Sequence, residues 1–144
     1  EPVTTVLTLE TVRADDEVAT TLELEPGADV VHIVRCRSTG AQRLAVLRNW
    51  LTVEAAGHLT VAQLEKSGLY ALIREAGVRP HYAAQRLGAR AASAVDAKIL
   101  GLKAGAPLVT MYRVMQDLTG RPVEIGDHVY DAAHYSVELA VVEN

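Results

Sequence analysis

Two apolar runs, VVHIVRCRS at 30–38 and RLAVLRNWLTV at 43–53, stand on either side of Thr39-Gly40. Runs of that composition around a short turn read as a β-hairpin. The arrangement recurs near the end of the chain, where LTGRP separates PLVTMYRVMQD from VEIGDHVYDAAHY, with a last strand expected from Ser136. Between and around the hairpins the periodicity changes. VTTVLTLETV at 3–12 is β-branched and reads as a further strand, and RPHYAAQRLGARA at 79–91 reads as extended. Asp15-Asp16 caps a short helix over EVATTLEL, and Thr60 with Gln63 forms a capping box ahead of VAQLEKS. LYALIREAG spaces Leu69, Leu72, Ile73 and Ala76 along one helical face and stops at Gly77. SAVDAKILGL reads as a helix capped by Ser93, with Val95, Ile99 and Leu102 expected inward. Antiparallel strands with interspersed helices give an α+β fold, an antiparallel sheet with flanking helices, rather than a βαβ repeat.

Inside the first hairpin, Arg35 and Arg37 pose a problem. Alternate residues of a strand point to the same face, so the two guanidinium groups leave the sheet together, with roots roughly 6.5–7 Å apart. At that separation they repel unless an anion sits between them. One reading is a clamp for a phosphate or carboxylate, which two planar forks grip in bidentate fashion. The other is that one arginine pairs with a structural Asp or Glu while its neighbour reaches solvent. Tyr130 stands six residues beyond Glu124 and shares its face in a regular strand.

Composition narrows the function classes. The chain has 144 residues, enough to bury most of its apolar surface as one domain without disulfides. A net charge of −4 with no Lys/Arg run argues against a nucleic-acid-binding surface. The one cysteine, Cys36, excludes an internal disulfide, reads as a small core residue and suggests a reducing, cytoplasmic setting. His32 lies on the strand face opposite the arginines. His58, His81, His128 and His134 show no metal-ligand spacing, so neither metal nor cofactor is expected. No apolar run approaches the roughly 18 residues of a membrane span, so no membrane partner is expected. No nucleophile stands beside an evident activating base, and no Gly-rich phosphate loop occurs. The start at Glu-Pro fits a fragment of something longer.

The order of signals resembles the UTRA domain, the effector-sensing half of GntR/HutC-class bacterial transcription regulators. The resemblance rests on RCR at 35–37, LRNWL at 47–51, GLYALIREAGV at 68–78, ILGLKAGAPLVTMYRVMQDLTGRPVE at 99–124 and HY at 134–135, and covers residues 1–144. It implies a chorismate lyase-like fold with a small-molecule pocket, and a separate N-terminal winged helix-turn-helix domain, absent from these residues, that contacts DNA. It further implies a homodimer and no enzymatic activity. The effector would be a small anionic metabolite, such as a sugar phosphate or a carboxylate. By this resemblance Arg35 and Arg37 line the pocket, Glu124 accepts hydrogen bonds from the ligand and Tyr70 stands at the family's pocket tyrosine. Chemistry alone equally allows Glu124 to pair with an arginine, and Tyr130, on the same strand face, would close the same pocket.

Four positions depart from the family pattern. Gly68 replaces a serine, for which Ser67 is the available substitute. Leu47 replaces a glutamate and favours a less polar ligand. Asp131 and His134 stand where an arginine is usual in the closing motif. The competing reading is a chorismate lyase-like enzyme acting on a small carboxylated substrate, since that fold also grips its substrate with arginines.

Overall fold

The computed structural model describes residues 1–144. Both expected hairpins form: β2 (Asp29–Thr39) with β3 (Gln42–Thr52), and β5 (Pro107–Asp117) with β6 (Pro122–Asp131). The second is closed by the Asp117 carboxylate, which accepts from the Thr119 and Arg121 amides at 2.9 and 3.0 Å. β3 pairs with β6, which sets the hairpins side by side. β1 (Pro2–Arg13) adds outside β2 and β4 (Pro80–Ala91) outside β5, giving one antiparallel sheet in the order β1-β2-β3-β6-β5-β4.

Helices cover the two faces unequally. α1 (Asp16–Thr21) packs Val18 and Ala19 beside Val30 and Ile125 on one face. On the same face α5 (Ala94–Leu100) packs Ala97 and Leu100 beside Val46 and Val129. The other face is covered by α2 (Val53–Ala56), α3 (Val61–Lys66) and α4 (Leu69–Glu75). Ala55, Leu64, Leu72 and Ile73 from these helices bury Ile33, Leu51 and Met115. Those helices stop short. On their face the sheet presents successive cross-strand rows, Val31–Leu51–Glu124–Met115, Ile33–Asn49–Gly126–Arg113, Arg35–Leu47–His128–Met111 and Arg37–Ala45–Tyr130–Val109. The helical layer packs on the first rows and leaves the last two facing a hollow.

Capping explains most helix starts. Asp15, Thr52, Thr60 and Ser93 each accept from a backbone amide three residues on, and Thr60 with Gln63 completes the expected capping box. Three expectations need correction. The helix after Asp15 ends at Thr21 rather than Leu24, because Glu23 takes a positive φ of 56°. Val95 is exposed, and α5 instead turns Asp96, Ala97 and Leu100 inward. Asp96 sets that rotation: its buried carboxylate accepts from Arg48 at 2.6 Å and Arg90 at 3.1 Å. No strand follows Ser136. The chain passes through a 3-10 turn at Ala132–His134 and then has no regular element, with Val137, Leu139, Val141 and Val142 exposed.

Gly57 ends α2 at φ 57°, ψ −128°, where a Cβ would meet the Ala76 Cβ at 3.0 Å. Both the backbone region and the contact require glycine. Gly57→Ala is expected to lower unfolding free energy by about 1–3 kcal/mol in urea titrations, and an unchanged midpoint would contradict this packing.

Candidate functional site

The hollow is a cavity of about 500 Å³. Its floor is the sheet: Arg35, Leu47 and His128 from one cross-strand row, Arg37 and Tyr130 from the next. Gly68, Leu69 and Tyr70 at the start of α4 form one wall, and Arg113 from β5 another. The strand geometry expected of Arg35 and Arg37 holds, since both reach this cavity. Their surroundings differ: Arg35 is buried at 6% exposure, whereas Arg37 is exposed. Neither forms an ion pair with an acid.

Beside the floor, on the same face of the sheet, lies a polar network centred on Glu124, which is fully buried. Its Oε2 accepts from Asn49 Nδ2 at 2.7 Å and from Arg113 Nη2 at 3.1 Å. Its Oε1 accepts from Arg113 Nε at 3.2 Å and from the Tyr70 hydroxyl at 3.3 Å. Asn49 in turn accepts from Arg35 Nη2 at 2.8 Å, so Arg35 reaches the carboxylate only through an amide. The Arg113 guanidinium also lies over the Tyr70 ring at 4.8 Å. Gly126 makes the pairing possible. A Cβ there would sit 3.0 Å from Glu124 Oε2 and 3.3 Å from Arg113 Nε.

The charge balance around the cavity is positive. Three guanidinium groups line the space and no acid does; the one carboxylate in reach is Glu124 behind it, paired with Arg113. Burial, and then the neighbouring charges of Arg113 and Arg37, pull the Arg35 pKa down to about 10, so it remains a cation at neutral pH. Burial, then Arg113 and Arg35, hold His128 down at about 3, so its imidazole is neutral. Burial opposes the charge on Arg113, but the hydrogen bonds and charge of Glu124 outweigh it and raise its pKa. Burial, then Glu124, pushes the Tyr70 hydroxyl up to about 12, which keeps it a donor. Two buried polar atoms find no partner in the protein, Arg35 Nε and His128 Nε2. A buried guanidinium N–H without an acceptor is costly, and an anionic oxygen is the partner it suits best.

Of the residues singled out by sequence, Arg35, Arg37, Tyr70 and Tyr130 line this cavity. Glu124 lies behind it, touching the lining through Tyr70 and Arg113. Ser67 lines an adjoining cavity rather than this one. Leu47, noted as a departure from the family pattern, is in the floor. Sequence reasoning missed Arg113, Asn49, His128 as a lining residue, and Gly126. A lone arginine in LVTMYRVM and a glycine inside VEIGDHV were the available signals, since an interior strand glycine often marks a close approach. No group of three or more His, Cys, Asp or Glu side chains comes together as a metal site would require.

Comparison with known proteins bears on what such a cavity serves. The family model for the UTRA domain matches residues 1–136. A candidate transcriptional regulator from Streptomyces coelicolor is similar at 43% identity and a TM-score of 0.89, over 94% of this chain and 90% of that one. The ligand-binding domain of a candidate GntR-family transcriptional regulator from Bordetella bronchiseptica is similar at 31% identity and a TM-score of 0.89, over 99% of this chain and 90% of that one. PhnF from Mycobacterium smegmatis shares the fold, with a TM-score of 0.86 at 19% identity. All of this chain is covered there, but only 64% of the PhnF chain.

The neutral His128 has a consequence for stability. The unfolded chain takes up its proton near pH 6.5, whereas the folded protein refuses it until about 3. Stability contributed by this group is therefore intact above pH 6.5 and is lost as pH falls towards 3. His128→Asn removes the titration. The difference between wild type and variant in urea-derived unfolding free energy should change by up to about 1.4 kcal/mol per pH unit below 6.5, with wild type losing more. Parallel pH profiles would contradict a neutral, buried His128.

Proposed function

The chain belongs to the UTRA domain family, and from that premise we propose that its cavity receives the effector of a GntR-family transcription regulator, a small anion held between Arg35 and Arg37. The observation that carries the reading is the unbalanced charge. Arg35 is buried beside two further guanidinium groups, shares one carboxylate only through Asn49, and keeps its Nε–H unpartnered. An anion there removes both the repulsion and the orphan donor. Leu47, Leu69, Tyr70 and Tyr130 give the rest of the ligand apolar and aromatic surface.

Binding on Arg35 is passed along hydrogen bonds to Asn49, Glu124 and Tyr70, that is, from the sheet floor to α4. An effector that fits one arrangement of these elements better than another shifts the population towards it. In this reading the readout is a separate winged-helix domain that contacts DNA, in the cytoplasm, and the chain itself is not an enzyme. Relatives described as transcriptional regulators favour sensing over a chorismate lyase-like reaction.

The functional unit is proposed to be a homodimer. β4 is an unpaired sheet edge twelve residues long with every side chain from His81 to Ala91 exposed, whereas Glu65 of α3 covers the β1 edge by accepting from the Val6 amide. Long bare edges pair with another chain. Sedimentation equilibrium should therefore report a dimer, and Leu87→Lys on the exposed edge should shift it towards monomer. A monomer at all concentrations would overturn the dimer.

A thermal-shift series of sugar phosphates, phosphonates and carboxylates tests the anion site. A true ligand at about 100 times its Kd adds about 2.7 kcal/mol of stability. Arg35→Ala should weaken it by about 2 kcal/mol, near thirtyfold, and Arg37→Ala by less because Arg37 is exposed. Unchanged calorimetric affinity in both variants would remove the arginine pair from the site.

A further inference from the structure

A second cavity, of about 310 Å³, adjoins the first. Thr4 of β1 and Glu65, Lys66 and Ser67 at the end of α3 line it, and it shares Arg35, Arg37 and Gly68 with its neighbour. The arginine pair is thus a common wall, reached from both sides. Gly68 marks where the two spaces meet. Its backbone, at φ −66° and ψ 147°, suits any residue, and a Cβ there would meet nothing within 4 Å. Neither conformation nor packing requires a glycine. What the missing side chain leaves is open space beside the arginines.

The two compartments differ in chemistry. The first offers leucine and tyrosine surfaces. The second offers the hydroxyls of Thr4 and Ser67, the Lys66 ammonium and the Glu65 carboxylate, which is already committed to the Val6 amide at 2.9 Å. The buried charge also discriminates. Arg37 is exposed and screened by water, so the groups shielded from solvent are the buried Arg35 and the partly buried Arg113, against the fully buried Glu124. That leaves one positive charge in excess, which matches a monoanion better than a dianion.

We propose that the two cavities are halves of one site, and that its ligand is a phosphodiester whose anion lies between Arg35 and Arg37. An apolar or aromatic substituent extends towards Tyr70, and a small hydroxylated one towards Ser67 and Lys66. A phosphomonoester presents a substituent to one compartment only. The proposal rests on the anion-binding reading of the first cavity and goes beyond it in naming the ligand class.

Calorimetry with inorganic phosphate, phenyl phosphate and phenyl 2,3-dihydroxypropyl phosphate separates the two ideas. In the wild type the diester should bind about tenfold more tightly than phenyl phosphate, equivalent to about 1.4 kcal/mol. Gly68→Leu, which fills the junction, should cut the diester-to-monoester affinity ratio by about tenfold, and Ser67→Ala should lower the ratio by a smaller factor. Circular dichroism confirms that each variant folds, and the Ser67→Ala result stands alone if Gly68→Leu does not. A wild-type ratio near one, or a ratio untouched by both variants, would overturn the joined site while leaving the anion clamp in place. Absence of binding by all three compounds, or binding indifferent to Arg35→Ala, would overturn the clamp and the proposal with it.

Discussion

A single carboxylate organises the sheet around the cavity. Glu124 is fully buried, and burying a carboxylate costs several kcal/mol unless its oxygens are satisfied. Four hydrogen bonds from Asn49, Arg113 and Tyr70 meet that requirement, and they draw β3, β5, β6 and α4 to one point. The side chain absent from Gly126 lets the Arg113 guanidinium approach the carboxylate across the sheet surface. Once Glu124 is satisfied in this way it has little left for Arg35, which receives only the amide oxygen of Asn49. The pocket's cationic character is the remainder of that arrangement.

The cavity's position follows from the unequal helical cover. α2 to α4 cover the Val31 and Ile33 rows and border the cavity only at the start of α4, Gly68 to Tyr70, so the Arg35 and Arg37 rows continue the same face without a lid. On the opposite face α1 and α5 complete the cover, and Asp96 bridges Arg48 and Arg90 there. The two faces treat their arginines differently. Arg48 has a carboxylate at 2.6 Å, whereas Arg35 has none. Tyr130 extends the pocket's reach, since its ring stacks on Tyr135 at 4.1 Å, where the chain leaves the sheet.

Local signals carried much of the fold. Both hairpins, the Thr60–Gln63 box and the Ser93 cap were legible because turn chemistry and capping act within a few residues. The inward face of α5 was not. Apolar spacing pointed to Val95, but Arg48 from distant β3, together with Arg90 six residues back on β4, holds Asp96 inside and rotates the helix, and the Arg48 contact is tertiary information. The strand expected from Ser136 failed similarly, because β-branched composition cannot supply a neighbouring edge. At the site, strand parity and the family resemblance reached Arg35, Arg37, Tyr70 and Tyr130. Arg113 escaped because its importance lies in a cross-strand row with Gly126 and Asn49, and register across three strands is not written in any one of them.

The account depends on a buried, cationic Arg35 whose Nε–H awaits an anionic acceptor. Nitrogen-15 NMR of the arginine side chains during a titration with inorganic phosphate observes that group directly. The Arg35 Nε–H resonance should move downfield and exchange more slowly with solvent as phosphate is added, with Arg37 shifting alongside it. An Arg35 resonance that stays in place while phosphate binds elsewhere would contradict the account.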